Sequence, residues 1–127
     1  MPDPRFGAAI NCIDGRAQEP VTSWLKERYH LDYVDGITEP GADGAMLAQP
    51  DLAEHIRLKV LLSLQRHAAS VVAIAGHHDC LANPASAEQH REQIRRCAAM
   101  LRFYWSLPVT VVGLWVNERW EVEEVGA

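Results

Sequence analysis

Apolar positions along this 127-residue chain switch between two periods, and the switches mark its elements. Phe6 to Cys12 is a short, mostly apolar run stopped by Asp14-Gly15-Arg16, which predicts a buried first strand ending in a loop. After Pro20, Val21, Trp24, Leu25 and Tyr29 recur at helical spacing, and Leu31 to Thr38 then alternates Tyr33, Asp35 and Ile37 against Val34 in the manner of a strand. Asp51 followed by Glu54 has the form of a capping box, and Leu52, Ile56, Val60 and Leu64 behind it make a stripe that carries a helix to about His67. Ser70 to Ala75 reads as one apolar, β-branched run ended by Gly76, the pattern of a central parallel strand covered on both faces. A helix from about Pro84 to Tyr104 presents Ile94, Cys97, Ala98, Leu101 and Trp105 on one side. Val109 to Val116 is the next strand, and Asn117-Glu118-Arg119 turns into a last strand, Trp120 to Val125.

Strands alternating with helices predict one α/β domain over residues 1–127, its crossovers right-handed. The expected sheet is mostly parallel, in the order 2-1-3-4, with an antiparallel C-terminal hairpin strand and helices on both faces. A composition 48% hydrophobic and 23% charged can bury a core, which excludes a disordered tail. Lys plus Arg number 12 against 17 Asp plus Glu, a net charge of −5, so the positive excess that phosphate backbones require is missing and nucleic acid is excluded as a partner. No stretch approaches the ~20 apolar residues of a membrane span, and Met1 to Arg5 precedes no apolar leader, so the expectation is a soluble, untargeted protein. Three cysteines are an odd number, too few for a disulfide framework, and point to reduced thiols in a cytoplasm.

Candidate chemistry follows from where the sulfurs and imidazoles fall. Cys12 lies at the end of the first strand, and His77 and Cys80 lie just past the end of the third. Ligands of open parallel sheets bind beyond the carboxyl ends of strands, so neighbouring first and third strands bring these three residues to one point. Two thiolates and an imidazole suit zinc, and three protein ligands leave a fourth position for water. By chance alone Cys-x-Asp-x-Arg occurs in roughly one or two chains per hundred of this length and His-x-x-Cys in up to about a third. Only their joint occurrence at two strand ends carries weight.

Those residues, Cys12-Ile13-Asp14-Gly15-Arg16 and Gly76-His77-His78-Asp79-Cys80 after a Val/Ile-rich strand, resemble the β-class carbonic anhydrases, as does Val112-Gly113-Leu114-Trp115-Val116 followed by a hairpin. The resemblance implies a β-carbonic-anhydrase-like fold in which Cys12, His77 and Cys80 ligate zinc and Asp14 pairs with Arg16 beside it. It implies reversible hydration of carbon dioxide to bicarbonate by a zinc-bound hydroxide, a small-molecule substrate, and a homodimer or higher homo-oligomer. It also suggests a second state in which Asp14 leaves Arg16 for the metal. Leu81-Ala82 replaces the family's glycine pair, Thr38 to Asp43 departs from its loop after the second strand, and the first strand begins without its helical arm. The picture is of a short, reduced member. The changed loops leave open hydrolysis of carbonyl sulfide or carbon disulfide, and a closed, non-catalytic zinc-binding or sensing domain is the third reading. A thiol-redox protein is disfavoured because no Cys-x-x-Cys exists.

The remaining candidates read as structure. Cys97 belongs to the core; His30, His55, His67 and His90 have no partner pattern and are expected in solvent; His78 is a loop histidine that could relay protons. Trp24, Trp105, Trp115 and Trp120 fall in regular elements and are expected in the core or a subunit interface, and Glu118 to Glu124 on a solvated hairpin face.

Overall fold

A computed structural model describes residues 3–126, so Met1 and Pro2 of the opening segment lie outside the described residues. Strand β1 (Phe6–Asn11) runs parallel to β2 (Tyr33–Thr38) on one side and to β3 (Val71–His77) on the other. β4 (Thr110–Val116) pairs parallel with β3, and β5 (Val122–Val125) closes the sheet antiparallel to β4, giving the order β2-β1-β3-β4-β5. The α/β sheet in the order 2-1-3-4 with a C-terminal antiparallel strand is therefore the one expected.

β3 is central because every one of its seven residues is buried. Its alternation splits the core: Val72 and Ile74 join Ile10, Met46, Ile56, Val60 and Leu101 on one face, while Val71, Ala73 and Ala75 join Val21, Leu25 and Leu114 on the other. Helix α1 (Gly15–Tyr29) covers the second face; α2 (Ala42–Ala48), α3 (Pro50–His67) and α4 (Ala87–Ala99) cover the first. No described helix is long and apolar enough to cross a membrane.

Several element boundaries differ from expectation. α1 starts at Gly15 rather than after Pro20, because the Asp14 side chain caps it by accepting from the Arg16 amide at 2.9 Å. Pro20 then sits inside the helix, where it removes one bond of the first turns. The Pro- and Gly-bearing stretch after β2 contains α2, which Gly41 enters at φ 57° and which buries Ala42, Asp43 and Met46; tertiary packing overrides its weak helical propensity. α3 begins at Pro50 with Gln49 as its cap, so Asp51 is not a capping residue, and Glu54 bonds Arg57 instead at 2.6 and 2.8 Å. The capping box is at Ser86 and Gln89, ahead of α4, whose continuation Met100–Tyr104 is a π-helical turn. The last strand begins at Val122, two residues later than expected, because Trp120 takes φ 59° at the end of the turn.

Candidate metal centre and its Asp–Arg pair

Parallel β1 and β3 end at the same edge of the sheet, and that edge gathers the candidate ligands. Cys12 follows β1, His77 closes β3, and Cys80 lies three residues on, past Asp79 at φ 58°. One ligand atom from each of Cys12, His77 and Cys80 lies within 4.8 Å of the other two, and all three residues are buried. Cys12 is held on both sides: its amide donates to Asn11 Oδ1 at 2.9 Å, and the Gly41 amide donates to its Sγ at 3.4 Å.

The imidazole tautomer follows from one bond. His77 Nδ1 lies 2.7 Å from the His78 carbonyl oxygen, which can only accept, so Nδ1 carries the hydrogen and Nε2 carries a lone pair. Nε2 is buried and, among the described residues, has no hydrogen-bond partner. A buried imidazole acceptor left bare beside two sulfurs is costly unless a cation takes its lone pair. Burial pushes the Cys80 thiol up to about 11, and the nearby Cys12 adds to this, while the Asn83 amide bonded to Cys80 works the other way. A divalent cation would remove that penalty by binding thiolate directly. The donor set therefore fits a soft or borderline divalent ion.

Asp14 and Arg16 form the second part of the site. Arg16 Nη2 lies 2.6 Å from Asp14 Oδ2 and Nε lies 3.1 Å from Oδ1, a forked pair. Nη1 reaches Asp79 at 3.4 Å, and the guanidinium rests 4.5 Å over the Trp120 ring. The Arg16 hydrogen bonds hold the Asp14 carboxyl at about 2 against the cost of partial burial, and the same pair pushes Arg16 upward. Because the folded value lies below the unfolded one, the stabilisation from this pair is present above about pH 4 and is lost as pH falls through about 2. In Arg16→Gln, carboxyl-carbon NMR should find Asp14 titrating near the ordinary carboxylate value of about 4; an unchanged titration would show that Arg16 does not set it.

Two histidines expected in solvent are not free. His90 is 1% exposed, its Nδ1 2.6 Å from Asp43 Oδ2 and its ring against Trp115. Asp43, equally buried, also accepts from Asn83 Nδ2 at 3.0 Å. His67 is half-exposed but bonds Asp35 at 2.7 Å, and Ser63 donates to the same carboxyl oxygen at 2.7 Å. His30, His55 and His78 are exposed, and Cys97 is fully buried, as read from the sequence. Trp115 is buried; Trp24, Trp105 and Trp120 are half-buried. A signal for His90 was present: four residues before Ile94 and seven before Cys97, it continues the apolar stripe of α4. Nothing local marks Asp43, which lies 47 positions away from its partner.

A protein-family profile described as "Putative carbonic anhydrase" matches residues 2–126. Among solved structures, a β-carbonic anhydrase of Trichomonas vaginalis superposes with a TM-score of 0.65 at 14% identity, covering 98% of this chain and 85% of that one. A carbonic anhydrase of Glaciozyma antarctica gives 0.67 at 16% identity over 99% and 86%. An apo carbon disulfide hydrolase gives 0.68 at 11% identity over 99% and 81%. A search of curated protein sequences returns no match. At these identities the structural likeness speaks for the fold.

Proposed function

The chain belongs to the carbonic anhydrase family that this profile describes, and we propose that it catalyses the reversible hydration of carbon dioxide to bicarbonate with zinc held by Cys12, His77 and Cys80. The observation that carries the reading is the bare, buried Nε2 of His77 facing two buried cysteines. Zinc, when bound, supplies the acidity that makes water a nucleophile near neutral pH, less strongly with two thiolates than the ~7 reached with three imidazoles. The protein's own residues then aim the attack. Asp14, ionised throughout the working range, can only accept hydrogen bonds, so it orients a water by one hydrogen and leaves a lone pair for the substrate carbon. Arg16 fixes the Asp14 carboxylate from two sides, and Trp120 covers the guanidinium face.

Ile13 and Leu81, each next to a proposed ligand, are 59% and 89% exposed. A second copy covering these apolar side chains would make the homodimer this reading includes. Carbon disulfide hydrolysis is the second reading, favoured by the fold shared with that hydrolase. Stopped-flow assays of the zinc-loaded protein should give hydration that climbs from pH 7 to 9. Sulfide release from carbon disulfide without hydration would transfer the assignment to the hydrolase. Bound zinc with neither activity would favour a non-catalytic domain.

A further inference from the structure

We infer that Asp43 is a positioning residue for the thiolate pair: it ties together the two segments whose backbone amides face Cys12 and Cys80, with His90 and Asn83 as its anchors. The inference rests on Cys12 and Cys80 being metal ligands.

One segment is the start of α2, where Gly41 donates its amide to Cys12 Sγ at 3.4 Å. The other is the Cys80–Asn83 turn, where the Asn83 amide donates to the Cys80 carbonyl at 3.3 Å and lies close enough to the thiol to favour its thiolate. Asp43 joins them, because Oδ1 accepts from Asn83 Nδ2 at 3.0 Å while the residue itself belongs to α2. Oδ2 is taken by His90 of α4 at 2.6 Å, and Cys97 of α4 donates its thiol to the Asp43 carbonyl at 3.2 Å. Asn83 also bonds Gln93 of α4 at 2.7 Å.

The packing leaves this arrangement no slack. A Cβ at Gly41 would meet Asn83 Cβ at 2.9 Å, and one at Gly44 would meet the Asn83 amide nitrogen at 2.7 Å, so α2 and the turn touch closely. Asp43 and His90 are each 1% exposed. A buried carboxyl–imidazole pair gives little stability that apolar residues of the same volume would not give, whereas it fixes orientation. Here the fixed elements carry the donor to the Cys12 sulfur and the amide that favours the Cys80 thiolate. Hydrogen bonds to ligand sulfurs orient them and tune the metal, and loss of such outer partners weakens metal binding about 10–100-fold.

The test is Asn83→Ala, which removes the side-chain tie while keeping the turn's amide, with Asp43→Asn as the second variant. Zinc affinity, measured by chelator competition on protein whose circular dichroism matches wild type, should fall about 10–100-fold. The thiolate-to-metal charge-transfer band of the cobalt form should move. A folded Asn83→Ala that binds zinc as tightly as wild type with an unmoved cobalt band overturns the inference, even if its melting temperature drops. Wild-type protein that binds zinc but hydrates no carbon dioxide sinks the proposed function alone; wild type that binds no zinc sinks both.

Discussion

Cys12→Ser should leave the protein without stoichiometric zinc and without hydration activity. The serine hydroxyl matches the thiol closely in shape and can still accept from the Gly41 amide, so the fold at the end of β1 persists. What changes is charge and softness: a hydroxyl stays protonated at neutral pH, so the site loses one of the two negative ligands that balance a divalent ion. His77 and Cys80 remain, but two donors hold zinc weakly. The loss should exceed the ~10–100-fold cost of an outer-partner change. Metal analysis after dialysis reads it directly, with hydration assayed in parallel. If Cys12→Ser keeps one zinc per chain, Cys12 is not a ligand and the proposed mechanism fails.

Gly76→Ala should cost the metal-free protein about 3 kcal/mol or more, the sum of overpacking and a displaced buried pair. In a strand interior, alanine in place of glycine ordinarily stabilises by about 0.5–1 kcal/mol through lost unfolded-state freedom, so the sign is informative. At this position a Cβ would stand 2.5 Å from Asp43 Oδ2, 3.1 Å from its Cγ and 3.2 Å from Ile94 Cδ1. The carboxyl cannot retreat, because His90 at 2.6 Å and Asn83 at 3.0 Å hold both oxygens. Either Asp43 breaks one of these bonds while still buried, or β3 shifts immediately before His77. Urea unfolding monitored by fluorescence would show a lower midpoint at unchanged slope. A midpoint equal to wild type would mean that Asp43 is not wedged against β3.

Much of the site was legible because its residues are local to strand ends. Cys12 after Phe6–Asn11 and His77 at the end of Val71–His77 need only two parallel strands to be neighbours, as β1 and β3 are. The Asp14–Arg16 pair, two residues apart, was equally readable, although its place at the start of α1 was hidden by Pro20. Trp120 as the cover of Arg16 was not readable, since 104 positions separate them and a bulky residue at φ 59° follows from the turn alone. The short helix α2 has no signal in the sequence, because Pro40, Gly41 and Gly44 are poor helix residues and only packing of Met46 into the core makes the segment helical.

By itself the sequence determined the strands and most helix faces, since these depend on period and on short-range backbone preferences that each segment carries alone. Only the tertiary structure decided that His90 is buried against Asp43, that Asn83 bridges to it, and that His77, its Nε2 without a hydrogen-bond partner among the described residues, comes beside two sulfurs. The reason is range: a hydrogen bond forms over about 3 Å, and whether two groups far apart in the chain come that close is settled by how whole elements pack.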